Sequence, residues 1–434
     1  MTKRSLSNSF AYWDRALKVI PTGTQVFSKG PDMYVKGVYP IYLKRGIGSH
    51  VFDVDDNEYI DYCCALGSII LGYGYPSVVE AIKRQLDDAT NLSLLHPLEV
   101  EVAELLVKTI PCAEAVRYTK TGSDICSLAV RVARAYSQRE KVAYCGYHGC
   151  QEWFASSPKI QASKYRKGCL EVLKNYVFPF EYNDIESLKK LFDEHRKQIG
   201  AVIMEPTTGV EAPKENFLEE VKRVTHENSA VLIFDEVITG FRLSLGGAQQ
   251  FFGVTPDLAT FGKAAANGMP LSILVGRAEV MNVLNEIFFS TTFGGEMLSL
   301  AAAKTTIHEL KEKKVIDYIW KQGRKLQESF NKLAQEKDLR AEMIGYPIIN
   351  KIRFLDSQGR ESKEILSLFL QETVKRGILF GYSAFSMFAH SEDDLQKTIE
   401  ASDESLGIVK KAVGENRVLD YLEGEVVKPV FERR

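Results

Sequence analysis

Residues 231–242 read VLIFDEVITGFR and residues 256–266 read PDLATFGKAAA, and together they give the clearest indication of the fold. VLIFD is a continuous run of β-branched and aromatic residues, which is typical of a strand buried on both faces of a parallel sheet. In open α/β sheets, ligands bind at the carboxyl ends of the strands, and Asp235 stands at such an end. Lys263 follows a glycine in a short apolar stretch without a neighbouring charge.

This pair of residues suits one cofactor. A desolvated lysine can be a neutral amine that forms a Schiff base. A buried Asp that pairs with a pyridinium nitrogen and a lysine that bonds the aldehyde are the two groups that tune pyridoxal phosphate. Each residue alone has an ordinary alternative, since Asp235 could cap a helix and Lys263 could be a surface charge.

Length and composition favour a small-molecule enzyme. The 434 residues are enough for one large and one smaller domain. A net charge of −2 gives no general attraction to nucleic acid or to a membrane surface. No apolar run reaches about eighteen residues, so no transmembrane helix is expected. Seven cysteines without regular spacing, and a start without a signal-peptide core, predict a cytoplasmic protein.

The hexapeptide CGYHGC offers Cys145, His148 and Cys150 as metal ligands. Three ligands so close together need a fourth, and no second Cys or His pair with metal-site spacing occurs. Buried cysteines at a strand end are the better interpretation, because a free Cys behaves as a small hydrophobe. We therefore expect no metal.

Strand-like and helical runs alternate between about residues 60 and 310. Predicted strands are VRYT (116–119), KVAYC (141–145), AVIME (201–205), VLIFD (231–235) and LSILVG (271–276). Helical stretches such as FLEEVKRVTHE lie between them. This alternation predicts an α/β fold with a large, mostly parallel sheet covered by helices.

The regular alternation of strands and helices ends at about residue 310. A long amphipathic helix, short strands and further helices follow, and they predict an α+β domain. The predicted division is an N-terminal segment (1–55) that contributes to the small domain, a large cofactor-binding domain (56–310) and a C-terminal small domain (311–434).

Several stretches carry a resemblance to a known family. They are SHVFDVDDNEYIDY, YTKTGSDICSLAVRVARAY, GYHG, IMEP, LIFDEVITGFR, PDLATFGKAAANGMP and TTFGGEMLSLAAA, which lie between residues 49 and 303. The chain resembles the class III (ω-type) aminotransferases, and within them the glutamate-1-semialdehyde 2,1-aminomutase-like branch. The resemblance implies the fold-type I, aspartate aminotransferase-like architecture, pyridoxal 5'-phosphate as cofactor, and a homodimer with active sites at the subunit interface.

A phosphate site is expected at Thr121, Gly122 and Ser123, between strand VRYT and the following helix. Free backbone N–H groups and the helix dipole favour an anion there, and Gly122 permits close approach. From the residues alone, a phosphate site and an ordinary helix N-cap at Ser123 are about equally good interpretations. The resemblance favours the phosphate, because the family has a small-Gly-Ser/Thr triplet at this place.

The remaining site residues are implied mainly by the resemblance. Tyr147 would stack on the cofactor ring, and Val237 would cover the ring's other face. His148 would be a supporting residue, and Glu205 would orient Asp235 or its neighbours by hydrogen bonds. Thr292 would reach across the dimer to the partner's phosphate.

Three departures from the aminomutase pattern favour a transferase with two substrates. Lys29 or Ser28 stands where the aminomutase has an arginine. The segment after GYHG, CQEWFASSPKIQASKYRKG at 150–168, is bulky and basic rather than glycine-rich. Tyr382 stands where the aminomutase has a glutamate. The prediction is an aminotransferase that moves an amino group from an amino donor to an aldehyde or ketone, with the aminomutase as the alternative.

A polar, sugar-like carbonyl compound is the expected acceptor, since the GTQVFSKGPD opening resembles family members that aminate carbohydrate aldehydes. Lys159, Lys164, Arg166 and Lys167 could meet a phosphate or nucleotide on it, although such a run is more often a solvated surface. A decarboxylase or racemase on the same cofactor stays open. A regulatory protein is disfavoured, because no length or basic helix remains for a DNA-binding module.

Overall fold

The computed structural model describes residues 4–163 and 165–428, and it divides the chain into two compact units. One unit comprises residues 76–316, and the other comprises the chain up to residue 75 together with the chain from residue 317 onward. No helix in the described ranges is both long and apolar enough to cross a membrane.

The described chain contains the following strands, in chain order: β1 (Leu43–Ile47), β2 (His50–Asp53), β3 (Glu58–Asp61), β4 (Ala115–Thr119), β5 (Lys141–Cys145), β6 (Val177–Pro179), β7 (Ile199–Met204), β8 (Val231–Asp235), β9 (Leu258–Phe261), β10 (Ser272–Gly276), β11 (Ala341–Ile344), β12 (Ile349–Phe354), β13 (Ile378–Leu379) and β14 (Ser383–Phe385).

The α-helices of the same residues are α1 (Ser7–Val19), α2 (Cys64–Gly67), α3 (Pro76–Asp88), α4 (Pro97–Thr109), α5 (Gly122–Ser137), α6 (Glu152–Ala155), α7 (Pro158–Gln161), α8 (Ile185–Glu194), α9 (Phe217–Glu227), α10 (Ala248–Phe252), α11 (Ala278–Met281), α12 (Met297–Glu312), α13 (Val315–Glu336), α14 (Lys363–Lys375) and α15 (Glu392–Gly414).

A seven-stranded sheet forms the centre of the 76–316 unit, in the order β4-β10-β9-β8-β7-β5-β6. The neighbours from β9 to β6 pair in parallel, whereas β10 is antiparallel to both β9 and β4. Every residue of β7, β8, β9 and β10 is buried, as expected for central strands covered on both faces. The mostly parallel sheet predicted from the sequence is confirmed.

The predicted strands differ little from the observed ones. β5 and β8 have the predicted bounds, β4 and β10 differ by one residue at one end, and β7 begins two residues earlier and ends one residue earlier than predicted. The sequence did not predict β6 and β9, or the reversed direction of β10. β9 is only four residues long, and periodicity cannot identify so short an apolar run.

The other unit holds two small sheets, β1-β2-β3-β13 and β11-β12-β14. Its core contains buried aromatic side chains from several elements, among them Tyr59, Phe330, Phe354, Phe369 and Phe380. Helix α13 corresponds to the long amphipathic helix predicted after residue 310.

The observed units join at residues 75/76 and 316/317, where the sequence placed its boundaries at 55/56 and 310/311. Residues 56–75 group with the small sheets because β3 pairs with β2 on one side and with β13 on the other. A pairing between segments more than 300 residues apart leaves no local signal in the sequence.

Candidate active site

Asp235 is the last residue of β8, and its side chain is only 6% exposed. One carboxylate oxygen, Oδ1, accepts hydrogen bonds from the Val237 backbone N–H at 3.1 Å and from the Thr260 hydroxyl at 3.2 Å. Thr260 can reach it because Asp235 and Thr260 are register partners of the parallel pair β8 and β9. The strand end predicted from the sequence therefore holds a buried, oriented carboxylate.

The second carboxylate oxygen of Asp235, Oδ2, lies 2.7 Å from Nδ1 of His148 and 3.3 Å from the Cys126 thiol. His148 is buried, and its Nε2 lies 3.2 Å from the carbonyl oxygen of Cys145. Both ring nitrogens of His148 therefore lie within hydrogen-bond distance of an oxygen atom. Burial by itself would raise the pKa of Asp235, but the hydrogen bonds outweigh it and the pKa is lowered.

Cys126, His148 and Asp235 place three potential metal-ligand atoms within 4.8 Å of one another. The 2.7 Å separation of Nδ1 and Oδ2 is a hydrogen-bond distance. Two ligands of a tetrahedral zinc ion would stand about 3.3 Å apart, given metal–ligand distances near 2.0–2.1 Å. The group is therefore explained by hydrogen bonding around Asp235, and we assign it no metal role.

Lys263 follows β9 and Gly262 and begins a short 3₁₀ helix that ends at Ala266. Its backbone φ is 43°, in the left-handed region that a side chain other than glycine seldom adopts. Such strain is often held at functional sites by the surrounding structure. Ala264, Ala265 and Ala266 are fully buried, so Lys263 extends from an apolar, tightly packed turn.

The triplet Thr121–Gly122–Ser123, predicted to bind phosphate, lies at the N-terminus of α5. Thr121 is the N-cap, because its hydroxyl accepts the Asp124 backbone N–H at 3.2 Å; Ser123 is inside the first turn and is not the cap. Among the described residues, nothing accepts a hydrogen bond from the backbone N–H groups of Gly122 and Ser123. Two free amides at the positive end of a sixteen-residue helix are suited to bind a phosphate.

Val237 lies beside residues 121–123, which we call the proposed phosphate cradle. A Cβ added to Gly122 would stand 3.2 Å from Cγ1 of Val237, and one added to Gly262 would stand 3.5 Å from the same atom. Val237 thus lies between the start of α5 and the residue before Lys263. The fold brings the predicted phosphate site, apolar cover, Asp235 and Lys263 into one place.

Tyr147 is 45% exposed and contacts Phe154 edge-on, with ring centroids 5.6 Å apart. Its backbone N–H donates to Oε2 of Glu205 at 3.1 Å. Gly146 has a φ of 110°, and a Cβ there would stand 2.5 Å from the same Glu205 oxygen. Glu205 therefore holds the chain at Tyr147, while the hydrogen bonds to Asp235 come from other residues.

The segment after Gly149 is attached to the same unit. Trp153 and Phe154 of α6 are buried, and the Trp153 indole N–H donates to the Ser127 hydroxyl at 2.9 Å. The Trp153 ring also stacks near His148, with centroids 6.3 Å apart. Arg166 and Lys167 are exposed. Lys164 lies outside the described residues, as does the side chain of Lys159.

The residues given only by resemblance have varied surroundings. Thr292 is exposed in a loop, and its carbonyl oxygen lies 3.5 Å from the Asn91 side-chain amide. Ser28 and Lys29 are exposed in the other unit. Tyr382 is half-buried there, with the Lys351 amine 5.9 Å from its ring centroid.

Two residues that contact Asp235 were not predicted from the sequence. Thr260 depends on the register between β8 and the unpredicted β9. Cys126 stands four residues after Gly122, one turn along a helix whose start was recognised, so helical spacing offered a signal. His148 was expected only as a supporting residue, yet it makes the shortest contact to the carboxylate.

These residues fit pyridoxal phosphate. Free amides at the α5 N-terminus suit its phosphate, the buried Asp235 carboxylate suits its pyridine nitrogen, and Lys263 suits its aldehyde. The glycines at positions 122 and 262 leave room where a Cβ would press on Val237 or Ser272.

Comparison with known proteins gives a consistent result. The family model described as aminotransferase class-III matches residues 33–397. The 3-aminobutyryl-CoA aminotransferase of Cloacimonas acidaminovorans is 34% identical over 418 residues, covering 94% of this chain and 99% of that protein. The glutamate-1-semialdehyde 2,1-aminomutase of Acetivibrio thermocellus is 34% identical over 417 residues, covering 91% and 97%.

Solved structures agree in fold. The pyridoxal-phosphate-bound FumI protein of Sphingopyxis superposes with a TM-score of 0.87 at 25% identity, covering 96% of this chain and 98% of that one. An omega-transaminase from Sphaerobacter thermophilus gives 0.84 at 25% identity, covering 93% and 98%. The predicted fold-type I architecture and cofactor are confirmed. The chain belongs to the class III aminotransferase family of pyridoxal-phosphate-dependent enzymes.

Proposed function

We propose that this enzyme is a two-substrate aminotransferase, which transfers an amino group from an amino donor to the aldehyde or ketone of a small, polar, sugar-like acceptor. Asp235 and Lys263 are the catalytic residues, and Thr121, Gly122 and Ser123 hold the cofactor phosphate. Tyr147 and Val237 cover the two faces of the pyridine ring, and Glu205 supports Tyr147 through its backbone N–H.

Bound pyridoxal phosphate supplies an electron sink for negative charge at the substrate carbon that bears the amine. The Asp235 carboxylate keeps a proton on the pyridine nitrogen, which strengthens that sink. The Lys263 amine would take the proton from the substrate carbon and later return a proton. Both residues act on charge that develops in the transition state, so both should affect the rate more than substrate binding.

The anchored segment after Gly149 is the main reason to prefer an aminotransferase over an aminomutase. An aminomutase moves an amino group within one molecule and must keep its partly reacted substrate enclosed behind a mobile lid. Here Trp153 and Phe154 are buried, and the indole N–H is hydrogen-bonded to Ser127. A segment held in this way favours free exchange of a donor product for an acceptor, which two-substrate transfer requires.

The sequence departures at Lys29 or Ser28 and at Tyr382 support the same choice. A relative named as an aminotransferase covers 94% of the chain at 34% identity. The runner-up is a glutamate-1-semialdehyde 2,1-aminomutase or related intramolecular enzyme, and a relative with that name is also 34% identical.

A polar acceptor agrees with the exposed cations Arg166 and Lys167 after the anchored segment, since a cationic group can meet an anionic part of a substrate. The relative named for 3-aminobutyryl-CoA suggests a second class, a coenzyme A thioester, which also carries phosphates. Both classes belong in the substrate tests.

We further propose a homodimer. Thr292 would reach the phosphate bound by the partner subunit. The loops around it expose large apolar side chains, with Leu94, Leu95, Phe288 and Phe293 between 60% and 88% exposed. A second copy of the chain would cover such a surface. A cytoplasmic location agrees with the seven cysteines, all of which are free thiols.

A donor screen tests the proposal. The loaded enzyme is mixed with single amino acids and amines, and the absorption of the bound cofactor is followed as its aldehyde becomes an amine. We expect at least one donor to convert the full cofactor complement and release one equivalent of carbonyl product. Addition of a polar aldehyde should then restore the starting spectrum. A cofactor that no donor converts would contradict the proposal.

A further inference from the structure

Cys126 is a buried cysteine of α5 whose thiol lies 3.3 Å from Oδ2 of Asp235. It also lies 3.6 Å from the Thr260 hydroxyl, which donates to the other carboxylate oxygen. The thiol therefore contacts both the Asp235 carboxylate and a residue that donates a hydrogen bond to it. The resemblance to the family gave this residue no role.

The thiol is the donor in its contact with Asp235. An ionised carboxylate has no hydrogen to give, and the pKa of Asp235 is lowered in this site. Burial raises the pKa of the Cys126 thiol, so the sulfur keeps its hydrogen. A hydrogen bond to a charged acceptor is stronger than one between neutral groups.

The position of Cys126 on its helix gives this contact a consequence. Helix α5 begins at Gly122 with the two free amides of the phosphate cradle. Cys126 follows four residues later, about 6 Å along the helix axis at 1.5 Å per residue. One rigid helix thus carries the cradle at its start and touches Asp235 one turn on.

We propose that Cys126 is a positioning residue that ties helix α5 to the Asp235 carboxylate, and so fixes the spacing between the phosphate cradle and the group that meets the pyridine nitrogen. The inference rests on the proposed roles of Asp235 and of the cradle. Cys126 itself touches neither the substrate nor the reacting atoms; it acts through Asp235.

The competing explanation is that Cys126 is only a small packing residue. Valine fills similar space without a hydrogen to donate, whereas serine keeps a donor. If packing alone matters, Cys126→Val should be well tolerated and Cys126→Ser should be the poorer replacement. If donation matters, serine should rescue what valine loses.

Infrared spectroscopy of the cofactor-free protein tests the hydrogen bond directly. The S–H stretch of Cys126 is isolated by subtracting the spectrum of Cys126→Ser. We expect a band shifted to lower frequency than that of thiols without an acceptor. In Asp235→Asn, which replaces a charged acceptor by a neutral one, the band should move back up. A band at the unbonded frequency, or one unmoved in Asp235→Asn, would overturn the proposal.

Cofactor retention gives the second test. Cys126→Val should weaken the binding of pyridoxal phosphate roughly fivefold, as expected for one lost hydrogen bond, and Cys126→Ser should stay within about twofold of the unmodified enzyme. Cys112→Val is the matched control, since Cys112 is also buried and makes no contact with Asp235 among the described residues. Equal retention in the Val and Ser variants would refute the proposal.

The Asp235→Asn variant tests the proposed role of Asp235 separately from the proposed role of Cys126. If it performs the amino-transfer half-reaction at the unmodified rate, the proposed role of Asp235 fails. If it is slowed by more than tenfold while Cys126→Val behaves as the unmodified enzyme, the role of Asp235 stands and only the role of Cys126 fails.

Discussion

Asp235 accepts four hydrogen bonds, two on each carboxylate oxygen, and each donor comes from a different part of the 76–316 unit. This arrangement fixes the plane of the carboxylate and keeps it ionised although it is buried. A pyridinium nitrogen would then meet an acceptor that needs no reorientation, which is how preorganised sites lower a barrier. His148 makes the shortest of these four contacts, at 2.7 Å.

Lys263 is the residue whose removal has the most specific expected effect. Lys263→Ala should fold and bind pyridoxal phosphate through the free amides of α5, but lose the absorption of the lysine-bound cofactor. Amino transfer should then fall by several orders of magnitude, because the proton carrier is gone.

Spectrophotometry of the reconstituted variant decides this. Lys304→Ala is a suitable control, since Lys304 pairs with Glu101 on the surface and should leave the spectrum unchanged. If the absorption of the lysine-bound cofactor persists in Lys263→Ala, a different lysine is the anchor.

At the scale of elements, the site is made by strand ends and one helix start. The sequence predicted these well where one element carries the signal: the buried run of β8 leads directly to Asp235, and the triplet at residues 121–123 begins α5. It predicted poorly where a contact depends on pairing. Thr260 meets Asp235 only through the register of β8 and β9, and residues 56–75 join the small sheets because β3 pairs with β2 and with β13.

Helix α6 anchors the segment after the site, and this can be measured. Trp153→Phe removes the indole N–H that donates to Ser127 while keeping an aromatic ring. We expect faster hydrogen exchange at residues 152–157, with a loss of about 1 kcal/mol in local stability for one hydrogen bond.

Ser127→Ala removes the other partner of that bond, so it should give a similar change, and the double variant should add little more. Mass spectrometry of peptides from this region provides the readout. Exchange that is already complete within seconds in the unmodified protein would show that the segment is a mobile lid, and the preference for a transferase would lose its main support.

At the scale of the whole molecule, the proposed dimer rests on two features, Thr292 and the exposed apolar side chains near it. Both belong to the 76–316 unit, which also contains the residues proposed to bind the cofactor. If a partner's threonine completes each phosphate site, cofactor binding and subunit association must favour each other by mass action.

Thr292→Ala should therefore weaken cofactor retention and reduce the shift toward dimer that added cofactor produces. Sedimentation with and without pyridoxal phosphate measures both effects, and Thr291→Ala tests whether any neighbouring threonine behaves alike. A stable monomer that retains cofactor at full strength would refute the interface role.

The most direct test of two-substrate transfer uses glutamate-1-semialdehyde in the absence of any amino donor. We expect no useful turnover from it alone, whereas a polar aldehyde with an amino donor should react, with one keto acid released for each amine formed. Efficient conversion of glutamate-1-semialdehyde to 5-aminolevulinate without a donor would contradict the account and identify the enzyme as an aminomutase.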